Sequence, residues 1–160
     1  MKDELLTRLR AAQKAFRQAV QGLPPEVRDQ RPIENWTVKD VVGHVAFWRG
    51  VDREVIQAAQ AGSSPRLGFE ITCREDLDEV NAYQVACRRS WSWEEVWREL
   101  EREEQAFLAT VEALTEEQLT LPAPAPWPDP GTVADCIRVE AEHQLQHAQR
   151  IQEWRRRLGL

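Results

Sequence analysis

Apolar residues recur every three or four positions over several long segments of this 160-residue chain, which is the period of one face of an α-helix. Such a segment is stable in water when its apolar face packs against another element, and several together favour a helical bundle. Composition agrees, because seven Gly, one Tyr and four Phe occur beside abundant Ala, Leu, Glu, Gln and Arg. The pattern predicts an all-α chain and argues against a β-sandwich or barrel.

Capping residues, glycines and prolines mark where these helices begin and end. Gly22 and the prolines that follow it end the first helix. Thr37 is an N-cap with Asp40 three residues later, and Ser92 opens a capping box with Glu95. The predicted helices cover residues 2–21, 37–60, 75–89, 92–114 and 132–157, with a brief extra turn beginning at Thr115.

Residues 121–130, LPAPAPWPDP, contain five prolines and therefore cannot continue a helix. Too little chain follows this segment to fold by itself, so we interpret it as a long crossover before the last helix. The expected architecture is a four-helix bundle with an extra short helix and this Pro-rich crossover. Residues 1–160 are expected to form a single domain.

Charge and cysteine content exclude several classes of protein. The 21 basic and 27 acidic residues give a net charge of −6, from which we expect neither nucleic acid nor a membrane as a partner. Three cysteines are an odd number without a pairing pattern, so a disulfide framework is not expected. The charged N-terminus lacks an apolar signal region, and the apolar run at 41–48 is too short to span a bilayer. We expect a soluble, cytoplasmic protein.

The chain has three histidines, and their positions suggest a metal site. His143 and His147 are four residues apart on the last helix, so both imidazoles project from one face and can share an ion. That spacing alone is equally typical of a solvated pair on a surface helix. His44 lies between Val41 and Trp48 on the apolar stripe of the second helix and should face the bundle interior. Three imidazoles from two helices match a three-His site with one open position, whereas a lone buried His is more often a hydrogen-bonded core residue.

Other residues are weaker candidates for a site. Glu140, one helical turn before His143, would either orient a ligand imidazole, carry a proton, or simply lie on the surface. Asn81 interrupts the apolar side of the third helix and either lines a pocket or bonds to backbone. Trp36 and Trp48 flank the His44 region and could wall a ligand pocket, although most of the seven tryptophans are expected in the core.

Two stretches carry a family resemblance: WTVKDVVGHVAFW, with Trp36 and His44, and GTVADCIRVEAEHQLQHAQRI, with His143 and His147. Together they resemble the DinB/YfiT-like family of four-helix-bundle metalloenzymes, and the likeness covers nearly the whole chain. The middle segment, residues 76–119, is most similar to the ClbS/DfsB-type branch.

The resemblance implies a bundle with non-sequential helix order and a divalent metal, zinc or nickel, held by His44, His143 and His147. It also implies a low-molecular-weight thiol as cofactor in some members, and a homodimer. Some ClbS-like members work without this triad, whereas this chain keeps all three histidines, so the branch's cyclopropane-opening activity is not carried over.

Two functional hypotheses follow. In the first, the ion activates a thiol or water against a small electrophilic substrate, giving thiol transfer or hydrolysis in detoxification or stress, with Glu140 as the catalytic acid–base candidate. In the second, the chain binds or sequesters a small molecule without catalysis and its metal site is vestigial. Three imidazoles do not select one metal, and nothing in the sequence identifies the substrate.

Overall fold

The structure is a computed structural model that describes residues 1–124, 126 and 131–160. The expected all-α class is confirmed, since the β structure among the described residues is one two-stranded hairpin and an isolated bridge. The elements are α1 (Lys2–Val20), α2 (Pro25–Gln30), β1 (Pro32–Ile33), β2 (Trp36–Thr37), α3 (Val38–Ala61), α4 (Arg74–Cys87), α5 (Trp93–Ala113), a 3-10 turn (Gln118–Thr120) and α6 (Val133–Leu158).

Four long helices, α1, α3, α5 and α6, form the bundle, and their order around it is not their order in the chain. α1 and α3 each pack against both α5 and α6, so consecutive bundle helices α1 and α3 lie diagonally across the core. α5 and α6 are likewise diagonal, and the chain crosses the bundle between them. This arrangement confirms the non-sequential helix order and places the inner faces of α3 and α6 against one another.

Capping boxes stabilise the N-termini of the two helices that carry the histidines. Thr37 Oγ1 accepts from the backbone N–H of Asp40 at the start of α3, and Thr132 Oγ1 accepts from that of Asp135 at the start of α6. In both cases the carboxylate accepts the cap residue's own N–H, so two orphan donors are satisfied at each end. These reciprocal bonds fix where each helix begins and therefore which residues face inward.

Two parts of the chain differ from the sequence expectation. Residues 25–30 form the short helix α2, with Pro25 in its first turn, where we expected irregular chain. Glu103 and Glu104 belong to a run of acidic residues on α5 that by itself indicates a solvated face, but both are buried. Their charges are paired, the first with Arg53 and the second with Arg17.

The Pro-rich crossover is described only at its ends. Val133 donates its backbone N–H to Leu121 O at 2.9 Å, and Ala123 donates to Gly131 O at 3.0 Å, so the two ends lie side by side. Residues 125 and 127–130, which include Trp127, lie outside the described residues. The three cysteines are free thiols, and no helix in the described part of the chain has the length and apolar character needed to cross a membrane.

Candidate metal centre and its cavities

The three histidines come together between α3 and α6. His44 is on the inner face of α3 and is 5% exposed, and His143 and His147 lie one turn apart on the facing side of α6. His143 Nε2 is 2.9 Å from His44 Nε2 and 3.0 Å from His147 Nε2. Their candidate ligand atoms all lie within 4.8 Å of one another, so this group could hold a metal ion.

The electrostatics of the cluster keep at least two of these imidazoles neutral. Burial, followed by the neighbouring His143 and His147, lowers the pKa of His44 to about 2. Burial and the neighbouring His143 lower the pKa of His147 to about 3. Neutral imidazole is the form that ligates metals, because its second ring nitrogen keeps a free lone pair.

The spacing of the nitrogens fits a metal of ordinary size. Zn–N bonds of about 2.0–2.1 Å place two imidazole nitrogens about 3.3 Å apart in a tetrahedral site. The two Nε2 to Nε2 distances of 2.9 and 3.0 Å are within a few tenths of an ångström of that value. The ligand atoms of the third pair, His44 and His147, lie within 4.8 Å of each other, so the side chains would have to move to bring all three nitrogens to one ion. The donor set, three imidazoles, also suits zinc, nickel and other divalent transition metals.

The outer ring nitrogens contact buried polar side chains. His143 Nδ1 lies 3.6 Å from Glu140 Oε2, one helical turn earlier on α6. His44 Nδ1 lies 3.3 Å from the side-chain amide of Gln84, which is the buried residue of α4. Partners at this position set the orientation and tautomer of a metal-ligating His.

Behind Glu140 lies a buried polar network built on Arg49. Arg49 of α3 is completely buried and donates from Nε to Glu140 Oε1 at 2.8 Å and from Nη2 to Gln144 Oε1 at 2.7 Å. Gln144 Nε2 in turn donates to Glu104 Oε1 on α5 at 2.6 Å, and Arg17 of α1 donates to Glu104 Oε2. The network therefore links all four bundle helices to the histidine cluster.

Glu140 and Asp52 share this buried environment but hold their protons differently. Burial would raise the pKa of Glu140, but the positive charge of Arg49, together with the contacts to His143 and Asp52, outweighs burial and lowers the pKa below its usual range. Burial and the charge of Glu140 raise the pKa of Asp52 well above its usual range. The pair is thus an ionised Glu140 hydrogen-bonded to a neutral Asp52, which also bonds to the Cys136 thiol. Two adjacent buried carboxyls with one proton avoid a like-charge repulsion.

Two cavities open beside the histidines. The larger, about 520 Å³, is bordered by His44, His147 and Trp36, and the smaller, about 270 Å³, by His44, His143 and Trp48. His44 and Asn81 border both cavities. The histidine cluster can therefore be reached from two sides, and each cavity is of the size that holds a small molecule or a fragment of one.

Asn81, expected either to line a pocket or to bond to backbone, lines both cavities. Trp36 lines the larger cavity and Trp48 the smaller one. Trp48 Nε1 donates to Asn81 Oδ1 at 2.9 Å, so Asn81 bonds to a side chain in the cavity wall. The ring of Trp36 is 4.8 Å from that of His44, and the ring of Trp48 is 6.5 Å from it, measured between centroids.

Sequence reasoning missed Arg49, Asp52, Glu104 and Gln144, although a signal for them exists. Each occupies a position on the apolar stripe of its helix, as in Val45–Arg49–Asp52–Ile56 of α3 with spacings of four, three and four. Polar residues at apolar positions on several helices of one bundle indicate a buried network, because each needs a partner in the core.

Several solved structures share this fold over nearly their whole length. The colibactin self-resistance protein ClbS, in complex with double-stranded DNA, has a TM-score of 0.78 at 14% identity, covering 95% of this chain and 93% of that chain. DfsB, described as a sibling lethal factor precursor, has a TM-score of 0.79 at 18% identity, covering 98% and 96%. An uncharacterised protein from Clostridium difficile 630 has a TM-score of 0.79 at 16% identity, covering 97% and 95%. No curated protein sequence matches the chain.

The ClbS complex overturns one expectation from the sequence. We expected no nucleic-acid partner because the net charge is −6, but ClbS has this fold and is in complex with double-stranded DNA. The expectation of no nucleic-acid partner is therefore wrong. Net charge describes the field of the whole molecule, whereas binding depends on the charges of one surface.

The amino-acid sequence itself also matches the model of a protein family. The model of the DinB superfamily matches residues 8–151, which include the histidines on both helices and the buried residues behind them. This agrees with the resemblance carried by the two histidine-containing stretches and with the shared fold of ClbS and DfsB. The chain belongs to the DinB superfamily.

Proposed function

We propose that this protein is a metal-dependent enzyme in which His44, His143 and His147 hold a divalent metal ion, zinc or nickel. The enzyme would act on a small electrophilic substrate by thiol transfer or hydrolysis, in detoxification or stress. The observation that carries the proposal is the convergence of three imidazole nitrogens from α3 and α6 between two cavities. A homodimer remains a prediction from the family resemblance.

When bound, the ion would lower the pKa of a thiol or water so that a nucleophile forms near neutral pH. In thiol transfer, the sulfur lone pair forms the new bond to the electrophilic carbon, and the leaving group departs with the electrons of the broken bond. The thiol proton passes to solvent. In hydrolysis, water takes the place of the thiol.

The chain's own residues would orient the ligands and the substrate. Glu140 suits the orienting role better than the proton-carrying role, because it is buried, ionised and paired with Arg49. In that role it holds the His143 ring through Nδ1. Asn81 is fixed through its Oδ1, which leaves its amide N–H groups to donate to a substrate in either cavity. Trp36 and Trp48 would hold apolar parts of the substrate and exclude water.

The test uses cobalt(II), whose absorption spectrum reports its ligands. We expect untagged protein to bind cobalt(II), and 2-mercaptoethanol added below its own pKa to give a thiolate-to-cobalt charge-transfer band. The His147→Ala variant should give neither spectrum, whereas Gln149→Ala, changed at an exposed position of the same helix outside both cavities, should give both. Failure of wild-type protein to bind cobalt(II), zinc or nickel would contradict the proposal.

The cavities also support a second candidate, a protein that binds or sequesters a small molecule without turnover. Both cavities have a tryptophan in the wall, and this feature does not depend on a metal. A ligand whose affinity is unchanged in His44→Ala would favour this second function. A ligand whose binding is lost together with the metal would favour the enzyme.

A further inference from the structure

We propose that the larger cavity binds a zwitterionic small molecule, with its carboxylate at Arg150 and its ammonium group at Glu34. The inference rests on the proposed function, because it takes the substrate or cosubstrate to lie beside His44 and His147 in this cavity. The inference adds the charge pattern of that molecule, which is one carboxylate and one ammonium group.

The first observation is the charge balance of the cavity wall. Four charged side chains line it: Glu34, Arg74, Asp78 and Arg150. Arg74 and Asp78 pair with each other, with Nε and Oδ1 3.0 Å apart. Glu34 and Arg150 make no hydrogen bond or ion pair with any residue the structure describes, so one negative and one positive group remain available.

The second observation is the backbone at Glu34. This residue lies at the tip of the β1–β2 hairpin with a φ of 59°, and it is the non-glycine residue with positive φ in the described chain. Glycine or asparagine adopts this left-handed conformation with less strain. Backbone strain of this kind concentrates at ligand sites, and here it holds a carboxylate at the rim of the cavity.

The third observation is the position of Arg150 on α6. It is one helical turn after His147, and both side chains line the larger cavity. A carboxylate bound at Arg150 would therefore place the rest of the ligand next to the histidine cluster. The ring of Trp36, also in this wall, lies against His44 and offers a surface for the ligand's carbon chain.

The smaller cavity has the opposite character and supports the assignment by contrast. Its acidic lining residues among those described are Asp52, Glu140 and Glu142, and no arginine or lysine is among them. A carboxylate would lie beside Glu140 and Glu142 there, with no arginine or lysine side chain in the described lining to pair with it. The two sides of the histidine cluster therefore differ in the charge that they accept, and an anionic group is directed to the larger cavity.

A matched set of four-carbon probes tests the proposal: 4-aminobutyrate, butyrate, butylamine and butyramide, with a six-carbon set to vary the reach. Each is titrated into untagged protein, as purified and after chelation, and followed by amide NMR shifts. We expect each matched charge to tighten binding about threefold to fivefold, so that the zwitterion binds about tenfold to twenty-fivefold tighter than the neutral amide. The shifts should lie at Ile33, Asn35 and Ile151.

Two variants assign the charges. Arg150→Gln should remove the preference for a carboxylate, and Glu34→Gln the preference for an ammonium group. Arg156→Gln on the same helix and Glu26→Gln on α2, both outside this cavity, should leave both preferences unchanged. Equal affinities for all probes in wild-type protein, or preferences that survive both variants, would overturn the proposal. Metal uptake is measured in the same samples. If the protein takes up no metal but keeps the charge preference, the proposed function is contradicted and the charge assignment of the cavity is not.

Discussion

Arg49 and Glu140 form a completely buried ion pair, and they illustrate how single residues support the candidate site. The two side chains are 0% and 1% exposed, and Nε to Oε1 is 2.8 Å. Removing charges from water is costly, so such a pair contributes little net stability but becomes strongly destabilising when one partner is lost. The Arg49 guanidinium also lies over the ring of Phe107, 5.1 Å from its centroid. We infer that this pair fixes the position of Glu140 behind His143.

Substitution Arg49→Met tests this role. It leaves Glu140 and Asp52 buried without a cation, and we expect the free energy of unfolding at pH 7 to fall by about 3–5 kcal/mol in urea denaturation. Arg98→Met, at an exposed position of α5, should change it by less than about 0.5 kcal/mol. A loss below about 1 kcal/mol for Arg49→Met would show that the pair does not hold the core together.

The lowered pKa values of His44 and His147 predict a loss of stability in acid for metal-free protein. Below the usual pKa of about 6.5, the unfolded chain binds protons at these residues, whereas the folded chain does not until pH 2–3. Stability therefore falls as pH falls through this window. Between pH 7 and 5 the two residues together should cost about 3–4 kcal/mol.

The measurement compares wild type with His44→Gln/His147→Gln after chelation, using urea denaturation at both pH values. Asp52, with its raised pKa, acts in the opposite direction, but its contribution is common to both proteins and cancels in the difference. The same pH dependence in wild type and in the double variant would mean that the histidines are not buried as neutral imidazoles.

At the scale of single residues, spacing and hydrophobic pattern predicted which histidines lie close together, but not which side chains surround them. His143 and His147 share a helix face by the four-residue repeat, and His44 faces inward by its place among valines. The contacts of Glu140 with Arg49 depend on the packing of α3 against α6, which no local pattern contains.

At the scale of elements, the two helices that carry the histidines begin at matching capping boxes. The sequence predicted the N-cap at Thr37 and the start of the last helix at Thr132. The turn after Thr115 was predicted, but α2 and the hairpin were not. α2 has six residues and none of them is buried, so it has no apolar repeat to recognise. The hairpin of β1 and β2 is two residues long on each side and was missed for the same reason.

Substitution Thr132→Ala tests the cap of α6. It removes the oxygen that accepts the Asp135 N–H and should lower the free energy of unfolding by about 1 kcal/mol. Thr7→Ala is the control, because Thr7 is exposed inside α1 and bonds back to Asp3 O within the same helix. If the two variants lose equal stability in thermal unfolding, the capping box does not contribute to the start of α6.

α4 should be the least stable of the longer helices. It packs mainly against α3 and buries Gln84 among its fourteen residues, while Tyr83 is 73% exposed. We expect its amides to exchange with deuterium about tenfold to a hundredfold faster than those of α3 and α6, because local opening exposes little apolar surface. Equal protection of α4 and α3 would contradict this. Since α4 supplies Asn81 to both cavities, such opening would also admit ligands.

At the scale of the whole molecule, the order of the helices in the bundle brings the histidines of the candidate site together. α3 and α6 are separated in the chain by α4, α5 and the crossover, yet they pack against each other, which brings His44 within reach of His143 across 99 residues. Periodicity predicts the inner face of each helix but not its neighbours, so the order of helices followed from the family resemblance. The match to the DinB superfamily and the shared fold of ClbS and DfsB agree with that order.

The central claim is that the three histidines bind one metal ion, and metal content measured by mass spectrometry tests it most directly. Untagged wild-type protein, as purified or after reconstitution with zinc and nickel, should contain about one equivalent of metal per chain. The His44→Ala/His147→Ala variant should contain none, while Gln149→Ala, at an exposed position of α6 outside both cavities, should match wild type. No metal in wild-type protein after reconstitution, or an undiminished content in the double variant, would contradict the account.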